Sequence, residues 1–403
     1  MVSESNNPGD WIACQIGARE NYSVPRAMHQ RECLQELITD LWTPPRGRTL
    51  ASRKLGDRFH PDLATANVRS ANFSFLRLEV FARATGLRDW NLITRRNRVF
   101  QDFVVDECNK FNGTLRQPKV FAYSYAAKRV LKFAKQRSWQ TVLGQIDAGP
   151  IEERIVSKLS EESGNRFGWQ PAPASYWDDW QEECELADKV IVNSAWSKSA
   201  LLKAGVDEKK IIVIPLAFEP PTESLSFVRS FPERFNSERP LRVLFLGQIK
   251  EQKGISSLFE AINLLAGEPI EFWLVGSAPT NIASEIASNP QIRFFGLVPR
   301  SEVGNYYRDA DVFVFPTHSD GFGLTQLEAQ AWKLPVVAST HCGDVVTDWK
   351  NGLLLTEVMP EAIATTIRRF IQEPGLLQRL SANCGVDQRF DIHSLAESIA
   401  NIF

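Results

Sequence analysis

The sequence predicts an α/β protein of two Rossmann-like domains, and three observations carry that expectation. Apolar, β-branched runs of strand length alternate with helix-length stretches along most of the chain, the pattern of βαβ units. At 403 residues the chain exceeds what a single domain usually holds. Pro220, Pro221, Pro232 and Pro240 then cluster among Ser, Arg and Glu over 219–240, which reads as a boundary between two such runs. With 43% hydrophobic and 23% charged residues there is apolar material for two cores and too little charge bias for disorder.

The N-terminal half is expected over residues 1–218. A strand over 11–16 leads directly into Gly17, Ala18, Arg19 and Glu20, and a helix fits 25–41 with Pro25 in its first turn. Residues 46–98 carry twelve Arg and Lys against four acids, interleaved with Phe73, Phe75, Leu76, Val80 and Phe81. Such a basic, partly amphipathic helical region suits an anionic membrane face or a phosphorylated acceptor; a solvated helix face balanced by acids elsewhere fits it equally. A strand over 119–125, a helix over 126–137 and a strand over 140–146 ending at Asp147 follow. The acidic helix over 176–188 sets Trp180, Cys184 and Ala187 on one face, leaving Asp178 and Asp179 as a solvated pair rather than a metal site. A strand over 189–193, the N-cap Ser194, a helix to Ala204 closed by Gly205, and a strand over 211–215 complete this half.

The C-terminal half is expected over 241–388. LRVLFL at 241–246 restarts the pattern, followed by a loop from Gly247 to Gly254 and a helix through Leu265. A strand over 272–275, a strand and loop over 294–298, and a helix containing Tyr306 and Tyr307 come next. The strand over 311–316 then feeds a loop with Ser319, Asp320, Gly321 and Gly323, a helix over 324–332, and a strand over 336–339 after Pro335. Two helices follow Leu355, and 389–403 forms a terminal segment.

The loop and helix at 317–332 are where chemistry concentrates. A helix start presents unpaired N–H groups and a positive dipole end to an anion. Asp320 lies before that start and Glu328 about one turn inside it. Because helical Cβ bonds lean towards the N-terminus, Glu328 can point back to the ligand that Asp320 faces from the other side. A diphosphate on the amides, with polyol hydroxyls on each carboxylate, describes a sugar nucleotide.

The run Asp320-Gly-Phe-Gly-Leu, with Glu328-Ala after three more residues, resembles the E-x7-E signature of retaining glycosyltransferases of the GT-B fold, the large family four. Seven residues separate Asp320 from Glu328, as in that signature, although the first acid there is usually Glu. Lys253-Gly254 resembles the end of the family's Gly-Arg-hydrophobic-x-x-x-Lys-Gly loop, with Gln248 in the place of Arg and Lys250 two residues on to supply a charge. Tyr123, Ser124 and Tyr125 stand where the family carries a histidine, and Leu216-Ala217 replaces its Asn-Gly hinge. The resemblance covers nearly the whole chain and implies two Rossmann-like domains facing across a cleft (GT-B type), with 389–403 packing back on the N-terminal domain. It implies transfer of a sugar from a nucleoside diphosphate sugar to an acceptor hydroxyl with retention of configuration. Asp320, Lys253 and Glu328 are then the expected catalytic residues. The donor would lie on Gly17, Gln248, Lys253, Val298, Asp320, Gly321, Phe322, Gly323, Leu324, Thr325 and Glu328, with Glu328 on the ribose and Asp320 on the hexose. Arg19, Glu20, Tyr123 and Asp147 are the acceptor-side candidates.

Other classes lose their main support. There is no G-x-S-x-G, no P-loop and no G-x-G-x-x-G, against hydrolase, P-loop NTPase and dehydrogenase chemistry. His29, His60, His318, His341 and His393 show no ligand spacing, and Cys14, Cys33, Cys108, Cys184, Cys342 and Cys384 form no C-x-x-C pair, so neither metal nor cofactor is expected. A net charge of −2 points to no nucleic-acid partner. No signal-peptide pattern and no transmembrane run occurs, so the expected location is cytoplasmic, with docking on the inner face of a membrane through the basic region. A non-catalytic sugar-nucleotide-binding partner subunit and a GT-B nucleotide-sugar epimerase remain as alternatives. The sugar, the base and the acceptor (glycan, lipid-linked or small molecule) are not encoded in any of these motifs.

Overall fold

The structure, a computed structural model, describes residues 10–45, 58–111, 118–279, 281–282 and 288–403. Two parallel sheets organise it. The first runs through β1 (Trp11–Gln15), β2 (Leu34–Thr39), β3 (Val68–Ser70), β4 (Lys119–Tyr123), β5 (Gln140–Gly144), β6 (Lys189–Val192) and β7 (Ile211–Val213), in the order β3-β2-β1-β4-β5-β6-β7. The second runs through β8 (Leu241–Leu246), β9 (Ile270–Val275), β10 (Ile292–Gly296), β11 (Val312–Phe315), β12 (Val336–Ser339) and β13 (Gly352–Leu355), in the order β10-β9-β8-β11-β12-β13. Every strand pair is parallel. Parallel strands must be joined by crossovers, and the strands at the middle of each sheet are apolar because helices cover both faces. Thus β4 and β11 are buried almost end to end.

In the first half the helices are α1 (Ser23–Gln30), α2 (Asn72–Thr85), α3 (Asp89–Cys108), α4 (Lys128–Gln136), α5 (Pro150–Glu162), α6 (Ala174–Leu186) and α7 (Ala195–Lys203). The second half has α8 (Ile255–Leu264), α9 (Val303–Asp309), α10 (Thr325–Ala331), α11 (Pro360–Gln372) and α12 (Pro374–Ser381). The terminal α13 (Ile392–Ala400) sets Leu395, Ala396 and Ile399 into the core of the first domain, beside Trp11, Ala27 and Met28. Ser194 caps α7 by accepting from Ser197 N, and Trp180, Cys184 and Ala187 are buried.

The single helix expected over 25–41 is a correction: α1 ends at Gln30 and Leu34–Thr39 is the strand β2. Glu32 takes a left-handed φ of 57° in the turn between them. LQELIT has good helix formers, but Leu37 and Ile38 become fully buried by pairing between β1 and β3. Tertiary pairing overrides local propensity here.

In the basic region, Arg46, Arg48, Arg53 and Lys54 lie outside the described residues. Arg58, Arg69 and Arg96 are ion-paired with Asp40, Glu36 and Glu79, so part of its charge is balanced within the fold. On α2, Phe73, Leu76, Val80 and Phe81 are 72, 56, 68 and 52% exposed, an apolar stripe at helical spacing. No helix of the described residues is long and apolar enough to cross a membrane. All six cysteines are free thiols.

Candidate active site

The C-terminal wall begins at the loop after β8. Lys253 closes a short 3-10 turn, and Gly254 follows at φ +72°. A Cβ there would lie 1.8 Å from the carbonyl oxygen of Pro316, so only glycine lets this loop sit against the end of β11. That approach sets Lys253 Nζ against Asp320, with which it forms an ion pair. Asp320 Oδ1 also accepts from Phe322 N at 3.1 Å, and Asp320 N donates to His341 O at 3.0 Å. This self-bonded turn is the physical reason for a short acid at 320: an Asp carboxylate reaches the amide two residues on.

Farther along, Glu328 in α10 accepts from the Tyr307 hydroxyl at 2.7 Å. Burial raises its pKa, against the opposing pull of the Tyr307 hydrogen bond and the Arg300 charge. Glu328, Leu324, Thr325 and Arg300 line one side of an interdomain cleft of about 430 Å³; Glu20, Asn21 and Arg26 line the other. Thr325 Oγ1 is buried there without a hydrogen-bond partner among the described residues.

The N-terminal wall is strained. Glu20, Asn21 and Tyr22 are three consecutive non-glycine residues at left-handed φ of 52°, 52° and 60°. Such backbone costs of order 1–3 kcal/mol per residue and clusters at ligand clamps. Gly17 N donates to Asp40 Oδ1 at 2.8 Å and anchors the start of the loop. Glu20 Oε2 accepts from Tyr123 OH at 3.2 Å and Ser23 Oγ at 3.1 Å, while Arg19 lies 5.5 Å over the Tyr123 ring. Burial raises the Glu20 pKa, and Arg19 opposes it. Three of the acceptor-side candidates are therefore in mutual contact. Asp147 belongs to a neighbouring group: it accepts from the Tyr125 hydroxyl and, at 2.9 Å, from Gly149 N.

Sequence reasoning missed the residues that join the two walls. Ser319 Oγ donates to Glu152 Oε2 at 2.9 Å, and Trp196 Nε1 donates to Ser319 Oγ at 3.1 Å. Gly321 O accepts from Ser194 Oγ at 2.8 Å and Ser197 Oγ at 3.2 Å. Burial, then the Asp147 charge, push the Glu152 carboxyl up to about 8, with Ser319 and Lys253 pulling the other way. Lys250 is shifted down by burial and by Lys253. Asp147, Glu152 and Asp320 thus share one electrostatic neighbourhood with Lys250 and Lys253. The sequence offered one hint, an acidic first turn after Gly149-Pro150. Tyr307 carried no such signal.

Other expected donor residues are placed less centrally. Gln248 is exposed, and Val298 packs partly buried beside Trp273 and Tyr307, two residues before Arg300. Phe322 is buried against Phe390, with ring centroids 5.8 Å apart. Asp178 and Asp179 are exposed, and Asp179 pairs with Lys128 at 2.8 Å. Among the described residues no group of three or more His, Cys, Asp or Glu is placed to hold a metal ion.

Residues 240–373 match the family model described as Glycosyl transferases group 1. The D-inositol 3-phosphate glycosyltransferase of Kineococcus radiotolerans is 28% identical over 242 residues, which cover 52% of this chain and 54% of that one. The chain spans about half the length of the curated relatives it matches. Among solved structures, HepE of Anabaena in complex with UDP-glucose aligns with a TM-score of 0.62 at 16% identity, over 97% of both chains. Sucrose-phosphate synthase of Thermosynechococcus elongatus aligns with a TM-score of 0.64 at 17% identity, over 98% of both. At such identities the likeness is one of fold. The fold is GT-B, and its second domain matches the group 1 glycosyl transferases.

Proposed function

We propose that this protein transfers a sugar from a nucleoside diphosphate sugar to an acceptor hydroxyl with retention of anomeric configuration. The reading is carried by two places where the domains face each other: Glu328 and Glu20 line one cleft, and Ser319, next to the Asp320 that pairs with Lys253, is hydrogen-bonded to Glu152. The match to group 1 glycosyl transferases over 240–373 and the fold shared with a UDP-glucose complex support it.

Breaking the glycosidic bond leaves negative charge on a diphosphate. Lys253, Lys250 and the open amides at the start of α10 are the groups that would stabilise it, without reorganising at the moment of reaction. Glu328, held by Tyr307, would accept from the ribose hydroxyls. Asp320 and the 321–323 backbone would hold the hexose, so that binding a donor sets its phosphate in competition with Asp320 for Lys253.

A panel of UDP-, GDP- and ADP-sugars tests the reading. Nucleoside diphosphate should be released, the anomeric coupling of the product should match that of the donor, and turnover should survive EDTA. Inverted product would overturn retention. Thermal stabilisation by nucleotides with no turnover of any donor would instead identify a binding subunit, and activity lost to EDTA and restored by magnesium would identify a metal enzyme.

A further inference from the structure

Beside the cleft, the N-terminal domain carries a second opening of about 560 Å³ between α3, α4 and the start of α6. Arg95 and Arg98, one helical turn apart and both exposed, line it from α3. Neither has an ion-pair or hydrogen-bond partner among the described residues. The other cations of the opening are already paired: Lys128 with Asp179 at 2.8 Å and Glu182 at 2.5 Å, and Arg129 with Asp102 at 2.5 Å. Two like charges held side by side repel each other, and a bound anion would relieve them both.

The opening also continues inward. Asn97, Tyr125 and Tyr176 line both it and a smaller cavity of about 150 Å³ that reaches Arg19 and Tyr123. Tyr125 and Tyr176 stack with ring centroids 4.8 Å apart, and Tyr125 donates to Asp147. A track therefore leads from two unpaired guanidinium groups, along tyrosine rings, to Tyr123 and to Tyr125, whose hydroxyl donates to Asp147.

We infer that this groove holds the acceptor, and that the acceptor is a saccharide bearing a phosphate or carboxylate gripped by Arg95 and Arg98. The inference rests on the transfer reading above and names its second substrate. Guanidinium forks match both anions, which a neutral sugar would not need. The tyrosine walls suit the apolar faces of a pyranose ring. The reacting hydroxyl would lie inward, towards Tyr125 and Asp147.

Calorimetry of the full chain with glucose 6-phosphate, glucuronate, glucose and inorganic phosphate tests it. The charged sugars should bind about ten-fold or more tightly than glucose, the scale of one charge-assisted hydrogen bond. The stronger of the two arms identifies the anion. Arg95→Ala with Arg98→Ala should abolish the preference while leaving UDP affinity and Tm unchanged, and the double Lys variant should restore part of it. Three results would overturn the inference: glucose binding as tightly as the charged sugars, inorganic phosphate binding as tightly as glucose 6-phosphate, or a preference that survives the double Ala variant. Arginines that matter only for anionic vesicles would assign the patch to a lipid surface and overturn it as well. Arg95- and Arg98-dependent sugar binding in a protein that turns over no donor would uphold the anionic-saccharide site and overturn transfer.

Discussion

Ser319 Oγ donates a 2.9 Å hydrogen bond to Glu152 Oε2, so the loop that carries Asp320 in one domain is tied to helix α5 of the other. Glu152 titrates near pH 8 in the fold, against an ordinary value of 4.5, because burial and the Asp147 charge disfavour its ionised form. Between those two values the folded protein holds a proton that the unfolded chain has released. Stability contributed by this group therefore falls as pH rises through that window, and the loss is complete above about pH 8. Glu152→Gln removes the titration, so its Tm should gain on wild type as pH rises from about 5 to about 9. Parallel Tm-versus-pH curves would show that Glu152 titrates normally.

Lys253 is proposed to contact phosphate. Lys253→Ala should weaken UDP or GDP by about ten-fold or more while leaving the nucleosides little changed, since a charge-assisted hydrogen bond is worth roughly 1.5–3 kcal/mol. It also leaves Asp320 beside Glu152 without its cation, so the Glu152 titration should move to higher pH. Equal nucleoside diphosphate affinity in both proteins would remove the lysine from the site.

The two acids should fail differently. Glu328→Ala should mainly raise KM for the donor, whereas Asp320→Ala should mainly lower kcat, because the transferred sugar changes most on the way to the transition state. Tyr307→Phe deletes the 2.7 Å hydrogen bond that orients Glu328, so it should reproduce the Glu328 effect in weaker form. Wild-type kinetics in both alanine variants would make this an unrelated pair of carboxylates.

At Gly321 the loop that carries Asp320 lies directly against the N-terminal domain. A Cβ there would lie 2.3 Å from Ile146 O and 3.1 Å from Asp147 Cα. Gly321→Ala should therefore push the Asp320 loop off the N-terminal domain, at a cost of roughly 1–3 kcal/mol for overpacking. Activity should fall more than the isolated affinity for UDP. Unchanged Tm and unchanged turnover would mean that this contact is not kept in solution.

The exposed stripe Phe73, Leu76, Val80 and Phe81, with Arg77 on the same helix, motivates a test of membrane docking. Sedimentation with anionic vesicles should fall steeply with salt, since the Debye length is about 8 Å at physiological ionic strength. Replacing Phe73, Leu76 and Val80 by serine should abolish what remains at high salt. Absence of binding at low salt would leave α2 as a solvated helix.

Much of this protein is written locally. Runs such as VFVF and VVAS become strands because their apolar, β-branched residues have no other way to be buried, and Ser194 starts a helix because its hydroxyl serves an orphan amide. The spacing of Asp320 and Glu328 follows from one loop and one helix, so a linear reading could find it. Tertiary structure alone decided the remainder. LQELIT has the residues of a helix and became β2 because two neighbouring strands offered it parallel pairing. Glu152 meets Ser319 across 167 positions, and Glu328 receives its hydrogen bond from Tyr307 in the preceding helix. Those contacts exist only once the chain has folded and desolvated the acids, and the shifted titration of Glu152 arises first from that desolvation and then from the Asp147 charge the fold holds beside it.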